Sequence, residues 1–115
     1  MAFVTARLNS ALDAALSGAD YIRIHDGSPG AAGTANAVAK GTLSGVGSTS
    51  GGEDVITSAV TISGAMGPLG YFSIWAGDPD SGGVCVASGD DQTLTPAETF
   101  AGAGTLNVTV TASAS

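Results

Sequence analysis

The segment Tyr21-Ile22-Arg23-Ile24-His25-Asp26-Gly27-Ser28-Pro29-Gly30 decides how the rest of the chain is read. Side chains alternate along an extended backbone, so Ile22 and Ile24 share one face of a strand while Tyr21, Arg23 and His25 share the other. Asp26, Gly27, Pro29 and Gly30 supply the turn chemistry that stops it. Upstream, Val4, Leu8, Leu12, Ala15 and Leu16 recur at three- and four-residue spacing and predict a helix within residues 4–17, which Gly18 is placed to end. Ser10 and Asp13 also form a capping-box-like pair, which leaves open a shorter helix that begins near Ser10 behind an arm of residues 1–9.

Downstream the pattern is mostly β. Residues 27–52 are rich in Gly, Ala, Ser and Thr. Within them residues 37–43 predict a weak edge strand, and residues 44–52 a flexible Gly/Ser loop. Residues 54–58 and 59–63 read as one strand or two short ones. Residues 69–76 form the strongest strand, with Phe72, Ile74 and Ala76 on one side and Tyr71, Ser73 and Trp75 on the other. A turn over residues 77–83 joins it to residues 84–88 as a hairpin. Thr93 to Thr95 then runs into a break at Pro96, and residues 105–112 alternate Leu106, Val108 and Val110 with Asn107, Thr109 and Thr111. Short strands separated by frequent turns indicate a mainly β chain, an antiparallel β-sandwich or small barrel with one short N-terminal α-helix. At 115 residues the expectation is a single domain, residues 1–115, in which residues 1–18 are the arm and helix.

Ten acidic residues face three basic ones, Arg7, Arg23 and Lys40, for a formal charge of −7. Nucleic acid is not an expected partner, because phosphate neutralisation needs clustered Lys and Arg. No stretch approaches the roughly 20 apolar residues that span a bilayer, and no signal peptide is evident at the N-terminus, so synthesis in a cytoplasm and no membrane partner are expected. The single cysteine, Cys85, forms no intramolecular disulfide and reads as a small apolar residue between Val84 and Val86. Charged residues make up 11% of the chain, well below the roughly 25% of an average protein, and such surfaces suit a protein packed beside many others.

Catalysis needs convergent groups, and few are in view. His25, the one histidine, reads as a partly exposed, hydrogen-bonded residue on the polar face of its strand, with no serine singled out as its nucleophile. Carboxylates pair at Glu53-Asp54, Asp78/Asp80 and Asp90-Asp91. Asp78-Pro79-Asp80-Ser81-Gly82-Gly83 is the best cation candidate but lacks the full EF-hand pattern, and a solvated turn is the favoured reading. No cofactor, metal or catalytic residue is expected. Trp75 lies on the face of Tyr71, opposite Phe72 and Ile74, so one of the two faces must meet something other than water. The N-terminal helix is one cover for it, and a subunit or partner interface is the other.

A leucine-bearing helix, Tyr21-Ile-x-Ile-His25 with its Gly/Pro turn, a strand near Ile62, the hairpin on Gly70-Tyr-Phe-Ser-Ile-Trp-Ala76 and the final Thr105-Leu-x-Val-Thr-Val110 strand together resemble small virion proteins of tailed bacteriophages, often labelled tail-fibre-like or minor tail proteins. The resemblance runs from about Leu8 to Thr111. Members tend to carry a Thr-Ala-Asp-Pro type turn after the histidine, where this chain has Asp26-Gly27-Ser28-Pro29. The resemblance implies a virion structural protein without a catalytic motif. Small size without repeats or heptads favours a capsid decoration protein on the outer surface of the major capsid protein lattice, commonly a trimer, over a minor tail protein. The expected contacts are Met1, Ala2, Phe3, Arg7, Arg23, Tyr71 and Trp75. Arg7 and Arg23 would meet acidic capsid groups. A carbohydrate-binding module that stacks sugars on Tyr71 and Trp75 is the alternative from another class, and a hydrolase using the paired carboxylates ranks third.

Overall fold

The computed structural model describes residues 4–113. The order of elements is α1 (Thr5–Ala15), β1 (Ala19–His25), β2 (Ala37–Thr42), β3 (Glu53–Ile62), β4 (Met66–Ala76), β5 (Val84–Ala87), β6 (Thr93–Phe100) and β7 (Gly104–Ser113). The chain is mainly β and sandwich-like, with every strand pair antiparallel. One sheet runs β2-β1-β4, with β5 and β6 following each other along the far edge of β4. The other sheet is β3 and β7 alone, paired without a register shift from Glu53↔Ser113 to Ile62↔Gly104.

The alternation in the sequence builds the core. Ile22 and Ile24 from β1, Val60 and Ile62 from β3, Phe72 and Ile74 from β4, and Leu106 and Val108 from β7 meet between the sheets. Each such side chain contributes roughly 1.5–3 kcal/mol when taken out of water. Along β3 the alternate residues Glu53, Val55, Thr57, Ala59 and Thr61 face solvent without interruption, so the two short segments read from sequence are one strand, Glu53–Ile62. The sheets touch where β2 meets β3: Ser44 and Thr57 exchange backbone hydrogen bonds, and Ser58 Oγ donates to the Thr42 carbonyl at 2.7 Å. On the opposite side β6 and β7 do not pair, so the small barrel entertained from sequence does not close.

The helix begins at Thr5 and not near Ser10; Ser10 Oγ donates back to the Ala6 carbonyl at 3.0 Å, as a residue inside a helix does. Gly18, at φ +77°, ends the turn that follows. Leu12 and Leu16 pack with Ile56 under the sandwich edge, with Val46 and Val86 beside them. The helix therefore does not cover Trp75. Residues 44–52 are better tied than a free loop: Gly52 N–H donates to Asn9 Oδ1, Gly47 N–H donates to Asp54 Oδ2, and Ser50 pairs with Glu53. Pro96 does not break the chain; it sits inside β6, an edge strand where a missing N–H is tolerated.

Candidate functional site

The register of β1 on β4 sets Tyr21 opposite Trp75, Arg23 opposite Ser73 and His25 opposite Tyr71, so the polar faces of both strands become one surface. The segment of residues 26–36 folds back over it. Asn36 Nδ2 donates to the Ser28 carbonyl, Ala35 N–H to the Pro29 carbonyl, and Ser88 Oγ to the Gly30 carbonyl. Pro29 and Gly33 are buried under this fold-back. Gly33 has φ +70°, and a Cβ there would lie 3.1 Å from Trp75 Cζ2 and 3.0 Å from Cys85 Sγ, so only glycine lets the segment lie flat on the indole.

Beneath it His25, Ser73 and Trp75 form one hydrogen-bonded chain. His25 Nδ1 lies 2.7 Å from the Ala35 carbonyl, which only accepts, so Nδ1 carries the proton. Nε2 then accepts from Ser73 Oγ at 2.8 Å, and Trp75 Nε1–H donates to the same oxygen at 2.8 Å. Every polar atom of the chain is satisfied by the neutral imidazole. Burial lowers the His25 pKa from 6.5, and the nearby Arg23 charge works in the same direction. A serine donating to a histidine has the outline of a nucleophile and its base. Here neither side chain is accessible, and a backbone carbonyl stands where a triad carboxylate would. His25 is thus fully buried, where the sequence predicted partial exposure.

Arg23 rides above this layer. Its guanidinium stacks over the Trp75 ring at 5.1 Å and bonds Asp80 Oδ1 at 2.7 Å. Lys40, across the pair from Arg23, bonds Asp78 Oδ1 at 2.7 Å and Asp80 Oδ2 at 2.9 Å. The Lys40 ammonium holds both carboxyls below the usual carboxylate range, and Lys40 is raised in return. The turn over residues 77–83 is therefore solvent-exposed, as read from sequence, and its two carboxylates also clasp it to β1 and β2 by ion pairs. Asp78 also caps its own turn, accepting from Asp80 N–H through Oδ1 and from Ser81 and Gly83 N–H through its carbonyl. No cluster of three or more His, Cys, Asp or Glu able to hold a metal occurs among the described residues.

The expected contact residues are scattered by the fold. Arg7 is exposed on the first half of α1, and Tyr71 is half-buried on β4. Trp75, at 5% exposure, is covered by residues of its own chain, which corrects the expectation that its face serves a partner. The Arg23 charge is already met by Asp80. Met1, Ala2 and Phe3 lie outside the described residues. Burial pushes the Cys85 thiol up, in keeping with its reading as a small apolar side chain.

Two further surfaces escaped the sequence. On the outer face of the β3–β7 sheet, Val55, Thr57, Ala59 and Thr61 lie opposite Thr111, Thr109, Asn107 and Thr105, all exposed and none charged. Along the unclosed seam a cleft of about 170 Å³ separates β6 from β7, lined by Leu69, Leu94, Pro96, Leu106 and Val108. The period-2 pattern of each strand was visible, but which strands lie side by side is a long-range outcome. Against known proteins, the chain matches no family model, no curated protein and no solved structure.

Proposed function

We propose that this chain is a structural protein of a tailed-bacteriophage virion: a capsid decoration protein that binds the outer surface of the major capsid protein lattice in many copies and catalyses no reaction. The observation that carries the reading is the outer face of the β3–β7 sheet. From Val55 to Thr61 and Thr105 to Thr111 it presents eight paired side chains without a charge, with Glu53 as the one charge at its end, on a chain whose net charge is −7. A surface of threonine, asparagine, alanine and valine costs less to dehydrate than a charged one, and its hydroxyls and amide can be met by a partner's hydrogen bonds. The resemblance of the Tyr21–Pro29 and Leu69–Ala76 segments to small virion proteins supports the same reading.

The mechanism is mass action. A protein that binds the assembled shell and not its dissociated subunits moves the equilibrium toward the intact particle. The side chains best suited to chemistry support a structural role, since His25 and Ser73 tie the covering segment to the sheet and Asp78 and Asp80 clasp the hairpin. The glycan reading is weaker, because Trp75 is not in solvent to stack on a sugar.

Particles purified from the virus that encodes this chain provide the test. Quantitative mass spectrometry and cryo-electron microscopy should find copies in proportion to capsid subunits, on the outside of the head. A handful of copies on the tail would replace decoration by the minor tail alternative, and absence from the particle would overturn the proposal.

A further inference from the structure

Strand β7 has one satisfied edge and one open edge. It pairs with β3 at all ten of its positions, and no strand among the described residues pairs with its other side. An open edge is a row of unpaired N–H and C=O groups, and proteins normally blunt it with charge, proline, a bulge or a cover. The other boundaries of the sandwich show such devices or are short: β5 has four residues and slips register against β4. β2 carries Lys40, is bulged against β1 and abuts β3; β6 carries Pro96 and Glu98 and slips register twice against β4. β7, Gly104-Thr-Leu-Asn-Val-Thr-Val-Thr-Ala-Ser113, has no charge, no proline and no bulge.

We infer that the open edge of β7 pairs antiparallel with the β7 edge of a second copy of this chain, about a two-fold axis. Charge selects that occupant. Two chains of −7 repel wherever their acidic surfaces meet, and β7 itself carries no charge, with Glu98 as the one acidic side chain lining the cleft beside it. Pairing β7 with the neighbouring chain's β6 instead would bring Pro96, which lacks an N–H, and Glu98 into the ladder. Partners in an antiparallel pair share a face, so a self-pairing centred on the strand has its axis at Val108 or Thr109. The two-stranded sheet becomes β3-β7-β7-β3, four strands wide, where two strands alone are marginal. The same docking covers the rim of the β6–β7 cleft and doubles the uncharged outer face. The inference does not depend on the virion reading, since it concerns the purified chain alone.

Sedimentation equilibrium of the purified chain from about 10 μM to about 1 mM should show a monomer–dimer equilibrium. In N107K/T109K, lysines on the exposed face of the edge strand should weaken the dimer at least tenfold with far-UV circular dichroism unchanged. T57K/A59K, on the same face but on β3, should weaken it less. As a second measurement, N107C/T109C in a C85S background places a cysteine opposite a cysteine whether the axis lies at Val108 or at Thr109 and should form a disulfide-linked dimer under mild oxidation, and T57C/A59C in that background should not. A chain that stays monomeric throughout, a trimer, or equal weakening by the β3 and β7 lysine pairs overturns the inference; so does absence of the N107C/T109C cross-link from a chain that retains its circular dichroism.

Discussion

Ser73 Oγ donates to Nε2 of His25 across 2.8 Å, between residues 48 positions apart, and the same oxygen accepts the indole N–H of Trp75. That one hydroxyl joins β1, β4 and, through the Ala35 carbonyl on the far side of the imidazole, the covering segment of residues 26–36. The arrangement uses the neutral ring, and the fold's response to acid follows from it.

The folded state holds the His25 pKa below 6.5, so the unfolded chain binds a proton first as pH falls. Stability is fully present above 6.5 and declines as pH drops through 6.5 toward the lower folded value. Asp78 and Asp80, held below 3.8 by Lys40, contribute stability that is lost only in a second, more acidic window beneath 3.8. Urea midpoints measured from about pH 8 to about pH 3 should show both declines, and H25Q should lack the first.

Ser73→Ala removes the partner of two buried groups, Nε2 of His25 and Nε1 of Trp75. Each orphaned group costs roughly 1–3 kcal/mol, so urea denaturation should show a loss of about 2–6 kcal/mol. A loss below about 1 kcal/mol would mean that the chain of bonds is dispensable.

Gly33→Ala places a methyl 3.1 Å from the Trp75 ring at a backbone φ of +70°. Strain and crowding of this kind cost roughly 1–3 kcal/mol and should lift residues 26–36 off the indole. Trp75 is the only tryptophan, so its emission should shift to the red and become more open to acrylamide quenching.

Lys40→Met removes both of its bonds to the 77–83 turn but leaves the Arg23–Asp80 pair. The pair is exposed, so global stability should change little. Hydrogen exchange at the Ser81 and Gly83 amides, both bonded to the Asp78 carbonyl, should accelerate while the β1 and β4 amides keep their protection. Unchanged exchange at those two amides would show that the turn holds itself without the clasp.

Local pattern and tertiary outcome divide cleanly in this chain. Period-2 alternation over residues 21–25, 69–76 and 105–112, the helical spacing of Leu8, Leu12 and Leu16, and Gly18 as terminator were legible because each depends only on near neighbours. The alternation also assigned Ile22, Ile24, Phe72 and Ile74 to one face, and that face is the core. His25 and Trp75 were misplaced because a strand's second face looks alike whether it meets water or a covering segment. The buried Pro29 and Gly33 were the available signal, small and turn-forming residues that let the backbone lie close. Asp78 and Asp80 met Lys40 and Arg23 only through the β1–β2 and β1–β4 pairings, contacts between residues dozens of positions apart. The sequence by itself determined which residues alternate, where the chain turns and that it carries excess negative charge. Tertiary structure alone decided which faces are covered, which ions pair and which strand edge stays open, since strand partnership is a cooperative choice among distant segments that no local window contains.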